Sequence, residues 1–151
     1  MDTAIKTLLL CVDGEPHSDK AVRYAIDLAA GLNAEVTALY VVDPFLQKFT
    51  HEIYAVNRAE CRAHLERALT AEGQAALDAF AGQARRAGIR HHTRMRQGDP
   101  LAVILAESAS LASDLVVLGG KPLKGWHQRF ASRKLPERLN RVIERPLLVV
   151  R

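Results

Sequence analysis

The sequence is poor in cysteine and contains no long apolar run, and each absence narrows the class of protein. Its two cysteines, Cys11 and Cys61, provide neither a disulfide framework nor the paired spacing of a metal site. No run of about 18 apolar residues exists to cross a bilayer. The first residues lack the basic start of a secretory signal, because an acid stands at position 2. We therefore expect a soluble cytoplasmic protein with no membrane partner.

Motifs of efficient catalysis are missing as well. The sequence has no Gly-x-Ser-x-Gly nucleophile turn, no Gly-Lys-Ser/Thr phosphate loop and no Cys-x-x-Cys redox pair. We therefore predict that the protein is not an enzyme with fast turnover. Slow hydrolysis stays open as an alternative, with Asp13 as the available general base.

The basic excess is small, with 21 Lys and Arg residues against 17 Asp and Glu residues. These cations are spread along the chain and form no single nucleic-acid-binding run, so we expect no nucleic-acid partner. A mildly basic protein of this kind favours small anionic ligands, and phosphate is the best candidate.

Short apolar runs alternate with Ala-rich helical stretches along 151 residues, a length that suits one domain. Continuous apolar runs are typical of parallel strands buried on both faces, and they occur at 5–12, 35–42, 114–118 and 146–150. A further strand is predicted between Gly88 and Gly98. Its alternate residues are charged, which predicts an edge strand with one solvated face: Arg90, His92, Arg94 and Arg96.

Helical spacing of apolar residues fills the intervals between the strands. We predict a first helix with Ser18 as its N-cap and Gly31 near its end. The second helix, over 53–87, is longer than a crossover between strands requires. Asp99 and Pro100 begin the third helix, because Asp accepts hydrogen bonds from free amides and Pro fits the first helical position. A last helix carries Leu135, Leu139, Val142 and Ile143.

This order of elements predicts an α/β fold, an open five-stranded parallel sheet in the order 3-2-1-4-5 with helices on both faces. Ligands of such sheets bind beyond the carboxyl ends of the strands, where the strand order reverses, here between strands one and four. Asp13 follows strand one, and Gly119 and Gly120 follow strand four. The glycines allow a close backbone approach, and the next segment is rich in cations. These are Lys121, Lys124, Arg129, Arg133 and Lys134.

Structural explanations of the same residues stay open. Asp13 can cap its own turn by accepting from nearby amides. The cations after Gly120 can belong to a solvated loop, and Trp126 can pack beneath that loop.

Several short segments, in this order and at this spacing, resemble the universal stress protein family over essentially the whole chain. They are VDG after strand one, LYVVD at the end of strand two, the GDP turn, DLVVLGG and the closing RPLLVV. The resemblance implies one domain over 1–151 with the Rossmann-like fold of adenine nucleotide alpha hydrolases. It also implies a stress-response role and a homodimer that pairs its last strands, 146–151, across a two-fold axis.

The resemblance further implies an adenine nucleotide site. In ATP-binding members, residues in the positions of Cys11, Asp13 and Val41 surround adenine and ribose. Their phosphates lie on a Gly-x-x-Gly turn followed by Gly-Ser or Gly-Thr, but this chain has Pro122 and Ser132-Arg133 at those positions. It is therefore more similar to the branch that lacks the complete glycine motif, and side chains would have to hold an anion there.

We accordingly predict a nucleotide site that takes ATP, ADP or AMP, with Mg²⁺ only alongside ATP. The predicted residues are Cys11, Val12, Asp13, Val41, Leu118, Gly119, Gly120, Lys121, Lys124, Ser132 and Arg133. The alternative is a nucleotide-independent homodimeric module whose dimer surface or long second helix recruits a partner protein.

Overall fold

The computed structural model describes residues 4–14, 16–43, 58–120 and 135–151. Strands and helices alternate in the order β1 (Thr7–Val12), α1 (Pro16–Leu32), β2 (Glu35–Val42), α2 (Arg58–Ala87), β3 (His91–Gln97), α3 (Pro100–Ser110), β4 (Leu115–Gly119), α4 (Leu135–Val142) and β5 (Leu147–Val150). The strands are all parallel and form one sheet in the order β3-β2-β1-β4-β5. The predicted fold class and strand order are therefore confirmed.

Each face of the sheet carries its own apolar cluster, because successive strand residues point to opposite faces. Leu8 and Leu10 of β1 lie with Ala25 of α1 and Phe80 of α2. Leu9, between them, lies in the second cluster, which includes Ile104 of α3 and Leu139 of α4. Helices α1 and α2 therefore cover one face and α3 and α4 the other, as predicted.

Three crossover helices end in the same way. A residue with a left-handed backbone follows each helix: Asn33 with φ 53° directly after α1, Gly88 with φ 70° directly after α2, and Ala112 with φ 47° two residues after the end of α3. The following amide then bonds to the carbonyl five residues earlier, which satisfies the helix end as in a Schellman motif. These bonds are Ala34 N to Ala29 O at 2.9 Å, Ile89 N to Ala84 O at 3.2 Å and Ser113 N to Ser108 O at 3.1 Å.

The ends of α1 differ from the prediction. The helix begins at Pro16, so the buried Ser18 lies inside its first turn and is not the N-cap. Proline suits that first position because the N–H group of a first helical residue has no partner inside the helix, so its absence from proline costs no hydrogen bond. The helix passes through Gly31 and ends at Leu32, and Asn33 supplies the left-handed residue. Asn adopts this conformation more readily than most residues, which is why the glycine is not needed there.

The start of α3 agrees with the prediction. Asp99 has an extended backbone and its carboxylate accepts a hydrogen bond from the Ala102 amide at 3.1 Å, while Pro100 is the first helical residue. Helix α2 ends at Ala87 as predicted, whereas residues 53–57 of the predicted helix lie outside the described part of the chain.

Helix α2 approaches β2 very closely at one glycine. A Cβ atom placed on Gly73 would lie 2.4 Å from Cδ1 and 2.6 Å from Cε1 of the Tyr40 ring, which is only 5% exposed. Real carbon atoms do not approach so closely, so glycine is required for this packing. Within the described ranges, none of the helices combines the length and hydrophobicity needed to cross a membrane.

Asp114 joins the start of β4 to the start of β1. Its Oδ2 accepts hydrogen bonds from the amides of Lys6 at 2.9 Å and Thr7 at 3.1 Å, and from the Thr7 hydroxyl at 3.1 Å. The Lys6 amide, followed by the Thr7 hydroxyl and amide, lowers the pKa of this carboxyl group, and Arg145 lowers it further. The ionised carboxylate therefore fixes the register of the two strands that border the predicted crevice.

Strand β3 lies at the edge of the sheet as predicted, but its charged face is only partly solvated. His92 is exposed, with 63% of its side-chain surface accessible. Arg94 and Arg96 instead donate to Glu107 of α3, at 2.9 Å and 2.8 Å. Both arginines are therefore paired with a buried acid of α3, although the side chain of Arg96 remains exposed as predicted and that of Arg94 is half-buried.

Candidate functional site

The carboxyl ends of β1, β2 and β4 meet at the point where the strand order reverses. Cys11 lies opposite both Leu39 of β2 and Leu118 of β4. Continuing this register two residues beyond Cys11 places Asp13 level with Val41 and Gly120. Neighbouring strands are about 4.8 Å apart, so these three backbones form one row across the sheet.

The predicted site residues divide between the two faces of the sheet. Cys11, Val41 and Leu118 belong to the face covered by α3 and α4. Val12 points to the opposite face, where it is buried with α1 and α2, so it can offer a ligand only its backbone. Leu118 is only 4% exposed, whereas Cys11 and Val41 are partly exposed on the first face.

Cys11 is a neutral wall of this crevice. Burial raises the pKa of its thiol to about 12, and the nearby carboxylate of Asp13 contributes to the rise. Since the thiolate is the nucleophilic form of cysteine, Cys11 is not a nucleophile at neutral pH. Its side chain acts instead as a small apolar group, free of any disulfide.

Asp13 is exposed and precedes a tight turn. Gly14 has a φ of 76°, a conformation that glycine adopts without strain. A Cβ atom on Gly14 would lie 3.1 Å from Oε1 of Glu72, so α2 places a second carboxylate beside the turn that carries Asp13. Glu72 was not among the predicted site residues, because the surface positions of a long helix carry no local signal of what they contact.

Gly120 is needed by the sheet itself. Its amide donates to Val150 O at 2.7 Å, and a Cβ atom on it would lie 2.8 Å from Cγ1 of Val149. The close approach that the glycines permit is therefore that of β5 to the end of β4. The Gly120 amide is already engaged in a hydrogen bond within the sheet. Gly119, the last residue of β4, lies opposite Val150 of β5.

Two further cations lie at the end of β5, and neither was among the predicted site residues. Arg151 follows β5, and its Cγ would be 3.1 Å from a Cβ atom on Gly120. Lys20 of α1 donates from Nζ to the carbonyl oxygen of Arg151 at 2.6 Å. The register of β4 and β5, in which Gly119 is opposite Val150, places Arg151 beside Gly120, and no local sequence pattern indicates that register.

Part of the predicted site cannot be placed. Lys121, Lys124, Ser132 and Arg133 lie outside the described residues, as does Pro122, on which the assignment to the glycine-poor branch rests. Among the residues that are placed, no three His, Cys, Asp or Glu side chains are arranged to hold a metal ion.

Comparison with known proteins agrees with this architecture. The sequence profile of the Universal stress protein family matches residues 4–151. A universal stress protein of Methanocaldococcus jannaschii is 32% identical over 148 residues, which cover 97% of this chain and 82% of that protein.

Two solved structures share the fold. A universal stress protein in complex with cAMP has a TM-score of 0.70 at 22% identity, with 97% of each chain covered. A family protein of Arabidopsis thaliana with AMP bound has a TM-score of 0.64 at 16% identity, with 96% of this chain and 90% of that chain covered. From its fold, its sequence match over nearly its whole length and its M. jannaschii relative, the chain belongs to the universal stress protein family.

Proposed function

We propose that this chain is a cytoplasmic stress-response protein that dimerises and binds an adenine nucleotide, acting as a sensor or adaptor without fast turnover. One observation carries the proposal: Cys11, Asp13 and Val41 come together at the point where the strand order reverses. Ligands of open α/β sheets bind at this point. Two proteins of the same fold, bound to cAMP and to AMP, support the choice of an adenine nucleotide.

The base side of the crevice fits such a ligand. Cys11 and Val41 provide partly exposed apolar surface, and the raised pKa of Cys11 keeps that surface uncharged. Asp13 adds an exposed carboxylate, which can accept hydrogen bonds from ribose hydroxyls. Small-molecule sites commonly combine an apolar lining with a few polar groups of this kind.

The phosphate side depends on side-chain cations. The amide of Gly120 is engaged by Val150, so it does not donate to a phosphate. We propose that Lys121, Lys124, Ser132 and Arg133 contact the phosphates, with Arg151 as an additional cation beside Gly120. Mg²⁺ would enter only together with ATP, since phosphate oxygens would complete its ligand shell.

Calorimetry with ATP, ADP and AMP at millimolar concentration tests the nucleotide proposal. We expect measurable heat and a higher melting temperature for at least one ligand, because a ligand that binds only the folded state stabilises it. Asp13→Ala should weaken binding, whereas Asp27→Ala, which removes the same charge from an exposed position of α1, should not. Absence of heat and of stabilisation with all three nucleotides would refute nucleotide binding.

The dimer proposal rests on β5, which is an edge strand. Pro146 O and Val150 O accept bonds from β4, so the alternate residues Leu147 and Val149 direct their backbone groups to the outer edge. Pairing with a second copy would satisfy these groups across a two-fold axis. Light scattering at micromolar concentration should give twice the mass of one chain, and the mass of a single chain would count against the dimer.

The second candidate function is a nucleotide-independent interaction module. Its support is the length of α2, whose 30 residues extend about 45 Å, while the eight residues of β2 extend about 26 Å. The helix is therefore longer than the sheet beneath it and offers surface to a partner protein. Capture of one partner by both the wild type and Asp13→Ala would favour this function over nucleotide sensing.

Slow ATP hydrolysis is a separate question from binding. Single-turnover assays with the wild type and Asp13→Asn address it, because Asp13 is the candidate general base. An unchanged rate in Asp13→Asn would remove Asp13 from that role.

A further inference from the structure

A guanidinium group lies at the β3 end of the crevice row. Arg96 is opposite Val41 in the register of β3 and β2, and Val41 is level with Asp13. The three strands follow one another at about 4.8 Å, so the Arg96 backbone is about 10 Å from that of Asp13. The side chains of Arg96 and Val41 share the face covered by α3. A ligand in contact with Val41 is therefore one strand away from Arg96.

Two hydrogen bonds fix this guanidinium group. Nε of Arg96 donates to Oε1 of Glu107 at 2.8 Å, and Nη1 donates to the carbonyl oxygen of Met95 at 3.0 Å. Glu107 is 9% exposed, which gives the pair a rigid base in α3. The Arg96 side chain nevertheless keeps 47% of its surface accessible. The result is a cationic plane that is held in place and open to a ligand.

The charges of this cluster do not cancel. Arg94 donates from Nη1 to Oε2 of the same Glu107 at 2.9 Å, so two guanidinium groups share one carboxylate. One arginine would be enough to neutralise the buried acid, and the second leaves a net positive charge at the edge of the crevice. Arginine, unlike lysine, has a flat and weakly hydrated cation that stacks on aromatic rings.

We propose that Arg96 contacts the base of the bound nucleotide, with its guanidinium plane against the adenine ring, and that Glu107 is the positioning residue that holds it there. This inference rests on the proposed nucleotide binding. It assigns the base side of the crevice a residue on β3, a strand that the predicted site did not include.

The test is AMP binding by calorimetry in four variants. Arg96→Ala removes the cation, and Arg96→Lys keeps the charge but removes the plane. Glu107→Gln keeps an acceptor but weakens the hold on Arg96. The matched control is Arg90→Ala. Arg90 lies just before β3, about 20 Å from Arg96 along the chain, and its Nη2 donates to Asn33 O at 3.2 Å. The unfolding of each variant is measured in parallel. If Arg96→Ala does not fold, the inference is tested with Arg96→Lys and Glu107→Gln alone.

We expect Arg96→Ala and Arg96→Lys each to weaken AMP binding about fivefold to tenfold, the loss of one cation–aromatic contact. Glu107→Gln should fall between them and the wild type, and Arg90→Ala should bind within about twofold of the wild type. Wild-type affinity in Arg96→Lys would show that charge alone matters and would overturn the stacking role. Wild-type affinity in both Arg96 variants would overturn the inference and leave nucleotide binding intact. No AMP binding by the wild type would overturn both.

Discussion

The contact between α2 and β2 at Gly73 leads to a sharp prediction about stability. In Gly73→Ala, the new Cβ would lie 2.4 Å from Cδ1, 2.6 Å from Cε1 and 2.9 Å from Cγ of Tyr40. Carbon atoms in contact are normally about 3.5–4.0 Å apart, so the ring or the helix must shift by about 1 Å. Tyr40 is only 5% exposed, in the core between α2 and the sheet, and has little room to move.

The expected net effect combines two opposing contributions. Overpacking a core typically costs about 1–3 kcal/mol, and the depth of this overlap favours the upper end. Replacing glycine by alanine inside a helix stabilises it by about 1 kcal/mol. We therefore expect Gly73→Ala to lower the free energy of unfolding by about 1–2 kcal/mol.

Gly82 of the same helix provides the matched control, because the nearest atom to its added Cβ is Nη1 of Arg86 at 3.8 Å. Gly82→Ala should gain the helix contribution alone and raise the free energy of unfolding by about 1 kcal/mol. Urea unfolding followed by circular dichroism measures both variants. If Gly73→Ala is as stable as Gly82→Ala, the close approach of α2 to Tyr40 is refuted. Adding Tyr40→Leu should recover part of the loss, which a double-mutant cycle would detect as coupling.

Three further predictions concern residues that flank β4. Ala112→Gly should raise the free energy of unfolding by about 0.5–1 kcal/mol in urea, because the left-handed φ of 47° strains alanine and not glycine. The pKa of the Asp114 carboxyl is lowered from 3.8. The stability that the ionised carboxylate contributes is therefore complete above pH 3.8 and is lost as the pH falls through the lowered pKa. In unfolding experiments at decreasing pH, the loss in free energy of unfolding caused by Asp114→Asn should be largest near neutral pH and should shrink in acid. Gly120→Ala should melt at a lower temperature without any nucleotide, since its Cβ would meet Val149. An unchanged melting temperature with lost AMP binding would instead assign Gly120 to the ligand.

The fold was predictable because the patterns that indicate it extend over whole strands and helices. Parallel strands buried on both faces give continuous apolar runs, and the predicted runs at 114–118 and 146–150 differ from β4 and β5 by one residue at their ends. The order of strands was then predicted from the common topology of five-stranded sheets of this kind. The level position of Asp13 and Gly120 followed from that order.

The contacts of individual side chains were not predictable in the same way. Glu72 lies against Gly14 only because α2 has one particular rotation and shift over the sheet, and no local pattern encodes that position. Glu107 did have a signal, because it is the one acid in the apolar helix α3 and faces a strand with arginines on one parity. Recognising the pair required the register between that helix and β3, which only the structure provides.

The base side and the phosphate side of the proposed nucleotide site differ in their energetics. The Gly120 amide is committed to Val150, and the phosphate contacts proposed above are mainly long cationic side chains. Such side chains lose about 2 kcal/mol of rotamer freedom when they are fixed, whereas backbone amides are ordered already. Arg96 is different, because Glu107 and Met95 hold its guanidinium before any ligand arrives. In the proposed site, most of the affinity and selectivity would therefore come from the base side, and the number of phosphates on the nucleotide would contribute less.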